Sequence, residues 1–292
     1  MKTILTLLLI ASAVAAQTRP PITGVSHMGV KVSRLAASQT FYRDFLGLRE
    51  VPQADGRILY FINADQYVEL LPGLNPADDR LDHIALRTAD PAGLRTYFKS
   101  RGVSLLNDRF PGGGFGVMDR DGHRLEFVRQ QSDARRKPVD GKGISARIMH
   151  LGIIVGDADQ AMAFYGGLLG FTEFWRGAAA NSQTVSWINV KLPESPDYLE
   201  YMLYSTLPAP TQRGSQHHIC LEVDNLDQAK SRLEASTYFK TYGKTLEIRT
   251  GINRRRQLNL FDPDGTRIEL MEARTVDGFP PKSTTLPLPV RK

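Results

Sequence analysis

Apolar positions along the chain recur with two spacings. Leu35, Phe41, Phe45 and Leu48 fall on or near one face of a helix, and Ala161, Phe164, Leu168 and Leu169 do the same further on. Gly47 and Gly170 follow these stretches, where a helix end often needs a residue with positive φ. After each helix the spacing shortens to strict alternation, as in Arg57 to Ile62, Gln66 to Leu71, Thr184 to Val190 and Tyr198 to Leu203. A strand, an amphipathic helix and then short strands are therefore expected, more than once.

The order recurs because the sequence does. "SHMGVKVSRLAASQTFYRDFLGLREV" lies over "MHLGIIVGDADQAMAFYGGLLGFTEF" without a gap: His27 on His150, Tyr42 on Tyr165 and Gly47 on Gly170, an offset of 123 each time. Further on, "LDHIALRTADPAGLRTYF" matches "HHICLEVDNLDQAKSRL", and "MDRDGHRLEFV" matches "FDPDGTRIELM". The chain reads as two copies of one domain, at 23–130 and 146–273. Within each copy the phrase opening at one histidine repeats that opening at the other, His27 with His83 and His150 with His218. The unit is βαβββ and the chain holds four. Residues 131–145, rich in charge, Gly and Pro, read as a linker, and 274–292 as a Pro-rich tail without an element of its own.

Composition changes this picture at one end. Residues 1–16, with Lys2, an apolar run from Ile4 to Ile10 and small residues at Ala13, Ala15 and Ala16, read as a secretory signal peptide, so a secreted or periplasmic location is expected. The apolar run is short for a membrane span of roughly 20 residues. Cys220 is the only cysteine, so no intrachain disulfide is available and the fold must rest on its core. The net charge of +6 is modest, and the runs Arg135-Arg136-Lys137 and Arg254-Arg255-Arg256 lack interleaved aromatics. They read as solvated charge, which argues against nucleic acid as a partner.

The paired phrases "H-x-G-x-x-V" and "FY-x-x-x-LG", the second histidine strand and "D-P-D-G-x-x-x-E-L" resemble the vicinal oxygen chelate superfamily. Its members include glyoxalase I, methylmalonyl-CoA epimerase, fosfomycin-modifying enzymes, extradiol dioxygenases and bleomycin-sequestering proteins. The resemblance covers nearly all of residues 23–272, twice. It implies an α+β fold in which four βαβββ modules form two cup-shaped mixed sheets with helices outside. It also implies a divalent metal ion in the cup (iron, nickel, zinc, manganese or cobalt) and a small-molecule substrate with vicinal oxygens.

Alternation decides which side chains face such a cup. In "HIALR" the apolar Ile84 and Leu86 suit the helix-covered face, so His83, Ala85 and Arg87 point inward. In "HHICLEV" Ile219, Leu221 and Val223 suit the helix side together with His217. His218, Cys220 and Glu222 share the other face. The same test turns Glu69, Glu126, Glu200 and Glu269 towards the cup, each between apolar neighbours. The candidate ligands are thus His27, Glu69, His83 and Glu126 in the first domain, and His150, Glu200, His218 and Glu269 in the second. One histidine opening a strand is ordinarily a satisfied core or surface residue; four such residues in one order, twice, point to metal. Tyr42, Tyr165, Trp175 and Trp187 read as core rather than as a substrate opening, and Cys220 as an apolar filler beside the metal.

Two imidazoles and one carboxylate leave three positions open on an octahedral metal, which suits iron, a chelating substrate and dioxygen. A second carboxylate leaves two, which suits proton transfer beside a chelated carbonyl, with one of Glu69, Glu126, Glu200 and Glu269 as base. The His-Glu-His-Glu order favours this glyoxalase- or epimerase-like chemistry. The alternative is an extradiol-type dioxygenase acting on catechol-like substrates, and the third reading is a non-catalytic binder. Departures bear on both enzymatic readings. Asn259 stands where the resemblance to dioxygenases calls for a tyrosine, and no histidine follows His218. Gly73 and Tyr204 stand where glyoxalase I relatives place an asparagine that holds glutathione.

Overall fold

The first domain opens with strand β1 (Ile22–Val32), helix α1 (Leu35–Gln39) and strands β2 (Arg49–Pro52), β3 (Ile58–Phe61) and β4 (Tyr67–Pro72). Its second module holds β5 (Leu81–Thr88), α2 (Pro91–Ser100), β6 (Phe115–Met118) and β7 (Arg124–Arg129). The structure is a computed structural model that describes residues 18–108, 110–130, 142–213 and 215–291. The expected leader and residues 131–141 of the expected linker lie outside the described residues. The second domain contains β8 (Arg147–Val155), α3 (Ala158–Ala161), β9 (Thr172–Gly177), β10 (Trp187–Lys191) and β11 (Tyr198–Leu203). It ends with β12 (His218–Glu222), α4 (Leu226–Glu234), α5 (Phe239–Tyr242), β13 (Ile248–Thr250), β14 (Arg255–Phe261) and β15 (Arg267–Thr275). No described helix is long and apolar enough to cross a membrane.

Each domain is one mixed sheet, ordered β2-β3-β4-β1-β5-β7-β6 in the first and β13-β14-β15-β12-β8-β11-β10-β9 in the second. The two modules of a domain join through their first strands, which run antiparallel: β1 with β5 and β8 with β12. The last strand of each module returns parallel beside its first. Four central strands therefore lie side by side, and these are the strands that carry the histidines and glutamates. Three of the four modules have all three strands after the helix. In the other, the described residues between α2 and β6 form no strand, and the Leu106 amide bonds to the Gly116 carbonyl at 2.8 Å.

Apolar residues on the convex face hold the helices. Phe98 of α2 packs against Phe127 and Phe127 against Phe115, each with ring centroids 5.0 Å apart. All three are buried, which stabilises by about 2 kcal/mol per ring. Helices α2, α3 and α4 start on side-chain caps, with Asp90, Asp157 and Asn225 accepting from the amides of Gly93, Gln160 and Gln228. α1 and α3 both continue as π-helical turns, over Thr40–Phe45 and Met162–Leu168. Leu46 bonds back five residues to Phe41 and Leu169 to Phe164, and the chain reverses at Gly47 and Gly170 with φ of +69° and +76°.

The domains lock together reciprocally. The Tyr42 hydroxyl donates to Asp262 at 3.2 Å, and that of Tyr165, its counterpart, donates to Asp119 at 2.9 Å. The Ser33 amide donates to Asp264 at 2.9 Å while the Gly156 amide donates to Asp121 at 3.0 Å. Gln66 accepts from the Ile148 amide at 2.8 Å and Asp197 from the Val25 amide at 2.9 Å. Equivalent residues meet equivalent partners in both directions, the rule of a two-fold interface, here within one chain. This gives the "FY" and "D-x-D-G" phrases a physical role, since they bind one domain to the other.

Tyr42, Tyr165 and Trp175 are core residues, and Trp187 is half-buried. Arg254 pairs with Asp277, and Arg256 with Asp227 and Glu272, so these cations are held at the surface by carboxylates. Residues 278–291 contain no helix or strand but lie along the second domain. Val185 donates to Pro287, Thr284 to Arg176 and Trp175 to Lys282, while Leu286 and Leu288 pack on the core.

Candidate metal centres

Strand register brings the eight residues together as two clusters of four. In the first domain Gly29 pairs with His83 across β1 and β5, Gly29 with Glu69 across β1 and β4, and Ala85 with Glu126 across β5 and β7. The ligand strands are adjacent, so donors far apart in sequence meet on one face. His27 Nε2 lies 3.0 Å from His83 Nε2. Glu69 Oε2 is 3.4 Å from the first imidazole and 3.2 Å from the second, and Glu126 is 4.0 Å from His83.

The second domain repeats the arrangement. His150 and His218 approach through their Nε2 atoms at 3.0 Å. Glu269 lies 3.4 Å from His150 and 3.6 Å from His218, and Glu200 lies at 3.8 and 3.4 Å. In each cup two histidines and one glutamate hold donor atoms that all lie within 4.8 Å of one another: His27, His83 and Glu126, and His150, His218 and Glu269. All eight side chains are buried, and buried histidine and carboxylate donors converging on one point are the donor set of a divalent metal.

The surroundings fit that group. A Cβ built on Gly29 would sit 2.3 Å from the His83 ring, and one on Gly152 only 1.9 Å from the His218 ring. The glycine two residues after the first histidine is thus the floor on which the second imidazole lies. A bulge after Val25 turns both Ser26 and His27 inward, and the register shift between Cys220 and Leu221 turns Met149 inward with His150. His83 Nδ1–H donates to Asp82 at 2.8 Å, which leaves the Nε2 lone pair facing the cluster. His218 Nδ1 is held between the Gln216 carbonyl at 2.8 Å and the Arg267 guanidinium at 2.6 Å. Tyr67 stacks on His27 at 4.3 Å between centroids, and Tyr198 covers His150 at 4.6 Å.

Electrostatics keep Glu69 and Glu269 ionised. Burial alone would raise Glu69, but its contacts with His27 and His83 outweigh it and hold it well below the usual range. Glu269 is likewise buried and likewise pulled well below by His150 and His218. Burial lowers His27. For His83 burial is outweighed by Asp82 and Glu69, which push it up to about 9. The imidazoles lie against anions that stabilise a cation, the condition under which a metal replaces protons.

His217 parts from His218. It faces the other domain, with Nε2 3.3 Å from Asp79 and its ring edge-on to His123 at 5.2 Å, while Arg213 shares Asp79. Burial lowers it from 6.5 to about 4, so between these values the unfolded chain binds a proton that the folded chain does not. Its stabilising contribution is complete above pH 6.5 and is lost as pH falls towards 4, on the order of 3 kcal/mol in all. Denaturant unfolding at pH 7 and pH 4.5 is expected to give a larger drop for the parent than for His217→Asn, and equal drops would contradict the assignment.

Alternation along the strands left several members of the site unassigned. Arg57 forms an ion pair with Glu69, Arg124 bonds Glu126 at 2.8 Å, and Asp82 orients His83. Asp82 and Arg124 precede His83 and Glu126 by one and two strand positions, a mark too common to distinguish them, and Arg57 stands outside the strand of Glu69 and carries no such mark.

With the geometry in view, the comparisons define the class. The model of the Glyoxalase/Bleomycin resistance protein/Dioxygenase superfamily matches residues 24–127 and again 147–270, and the chain belongs to this family. No curated protein sequence matches. Among solved structures, the 2,3-dioxygenase LapB from Pseudomonas sp. KL28 is 16% identical with a TM-score of 0.67, covering 93% of this chain and 98% of that one. The 2,2',3-trihydroxybiphenyl 1,2-dioxygenase from Sphingomonas wittichii strain RW1 is 17% identical, TM-score 0.67, with 88% and 93% covered. Homoprotocatechuate 2,3-dioxygenase from Brevibacterium fuscum is 19% identical, TM-score 0.65, with 88% and 73% covered. At these identities the likeness is one of fold.

Proposed function

We propose that the chain is a divalent-metal-dependent enzyme that takes a small substrate through two adjacent oxygens, and that its reaction is oxygenation of a catechol-like substrate. The observation that carries the reading is the two-histidine, one-glutamate cluster, buried on the inner face of each cup. That donor set with open positions is the one iron(II) oxygenases use. The likeness of the whole two-domain chain to three dioxygenases supports it. Iron(II), when bound, would supply a Lewis-acidic centre for the two substrate oxygens and a position for dioxygen.

The chain's own residues handle protons and orientation. Glu69, ionised and beside both imidazoles, is placed to accept a substrate hydroxyl proton, and Arg57 aims it. Asp82 fixes the His83 ring, and Tyr67 shields His27. In the second domain Asn259, opposite Glu269 on the neighbouring strand, offers an amide and no phenol.

One observation favours a second reading, proton transfer beside a chelated carbonyl. Glu69 and Glu200 lie between 3.2 and 3.8 Å from the histidines and can complete a four-ligand set that leaves less room for dioxygen. Anaerobic purification, iron(II) loading and oxygen uptake with a panel of catechols separates the two. Uptake matched to catechol consumption is expected. Bound metal without oxygen uptake, with proton exchange beside a ketone, would move the assignment to the second reading.

We propose further that the chain is exported and loses residues 1–16, on the strength of its N-terminal pattern. N-terminal sequencing of protein recovered outside the cytoplasm is expected to begin at Gln17; a chain beginning at Met1 contradicts this.

A further inference from the structure

The two cups carry equivalent donors but different fillings. Around the first cluster stand Ser26, Ala85 and Val128; the equivalent positions of the second domain hold Met149, Cys220 and Met271. Three larger, softer side chains replace three small ones. In the second domain Met149, Cys220 and Met271 pack with Tyr198 into a separate buried cluster against the metal ligands, and His150 and His218 are 0% exposed. A hollow of about 280 Å³ at that rim touches Met149 and Tyr198 but none of the four donors. In the first domain a cavity of about 700 Å³ reaches His27, Glu69 and Glu126 directly. A small aromatic molecule fits that volume.

The rims differ in charge as well. Arg87 and Arg129 flank the first cup, and their counterparts in the second are Glu222 and Glu272. Within the first cavity Arg57 is bound to Asp55 and Glu69, and Arg87 to Asp65. Arg129 meets only carbonyls, those of Gly112 at 3.2 Å and Ala89 at 3.4 Å, and has no carboxylate partner among the described residues. The apolar part of the cavity lining is Leu59, Phe61, Tyr67 and Val128. The second domain also leaves His150 Nδ1 without a hydrogen-bond partner among the described residues, whereas Ser26 meets His27 Nδ1 at 3.0 Å.

We propose that only the first-domain cup admits substrate, an anionic aromatic chelator whose two vicinal oxygens face His27, Glu69, His83 and Glu126 while its carboxylate reaches Arg129. The second-domain cup is a closed site that holds metal without substrate. This rests on the metal-binding reading above, and the test separates the two.

Cobalt(II) loaded into the whole mature chain gives a visible spectrum that reports each site, and 3,4-dihydroxybenzoate is the probe, with unsubstituted catechol as its uncharged comparison. Two cobalt ions per chain are expected to take up one probe. The double variant His150→Ala, His218→Ala is expected to keep the probe-induced spectral change, and His27→Ala, His83→Ala to bind cobalt without one. Arg129→Gln is expected to erase an approximately tenfold preference for the carboxylate-bearing probe, the size of one charge-assisted contact. Met149→Ser with Met271→Val is expected to raise uptake to two probes per chain. Two probes in the parent, or a spectral change confined to the second site, overturns the proposal. Failure of the parent to bind any cobalt overturns instead the metal-binding reading on which it rests. Should the ligand variants not fold, the probe-to-cobalt ratio of the parent decides alone.

Discussion

Gly152→Ala is expected to cost the second domain its metal, and Gly29→Ala the first, each leaving one equivalent per chain where two are expected for the parent. The reason is steric. The added methyl would stand 1.9 Å from the His218 ring in one case and 2.3 Å from the His83 ring in the other, distances no pair of carbons tolerates. The strands cannot part, because each glycine is paired on both sides, Gly29 with Glu69 and His83 and Gly152 with Glu200 and His218. The ring must therefore swing away and take Nε2 out of the cluster. Overpacking of this kind costs about 1–3 kcal/mol of stability in addition. Metal analysis after reconstitution checks it, and two equivalents retained in either variant would contradict the packing described.

The second large effect is expected at the domain lock. Asp262 accepts from the Tyr42 hydroxyl and from the amides of Asp264 and Thr266, at 3.2, 3.0 and 2.8 Å. Asp119 does the same for Tyr165, Asp121 and His123, at 2.9, 3.0 and 2.8 Å. Replacing either aspartate by alanine strands several buried donors, each worth about 1–3 kcal/mol, so a loss of about 3 kcal/mol or more is expected. Tyr42→Phe and Tyr165→Phe remove only the bond between domains and should cost about 1 kcal/mol each. Denaturant unfolding measures all four. An aspartate variant no less stable than its tyrosine counterpart would show that the turns, and not the lock, were misjudged.

Much of this architecture was open to inspection in the sequence, for a physical reason. A gene-fused repeat preserves the spacing of every element, so His27 and His150, Tyr42 and Tyr165 and Gly47 and Gly170 could be superposed before any fold was known. Strand alternation has a fixed period of two, so the side on which Glu69, His83, Glu126, Glu200, His218 and Glu269 project follows from their apolar neighbours. The structure turns His217 away from the cluster to Asp79, consistent with that alternation.

What escaped the sequence breaks these periods or spans the repeat. Bulges at Ser26 and Met149 place two successive residues on one face, which alternation forbids, and nothing in their composition announces them. The π-turns at Thr40 and Met162 add a residue to a helical turn without changing the pattern of apolar positions. The tyrosine–aspartate bonds join residues 220 and 46 positions apart in opposite domains, and only the three-dimensional packing brings them together. The difference between an open and a filled cup lies in Ser26, Ala85 and Val128 against Met149, Cys220 and Met271. Each is an ordinary strand residue until its neighbours are known.

The central claim is that each domain gathers its two histidines and its glutamates around one divalent metal. Metal content per chain after anaerobic loading with iron(II) tests it most directly, in the parent, in His218→Ala and in His217→Ala. Two equivalents are predicted for the parent and for His217→Ala, and one for His218→Ala; equal loss in both histidine variants, or a parent that binds none, would contradict it.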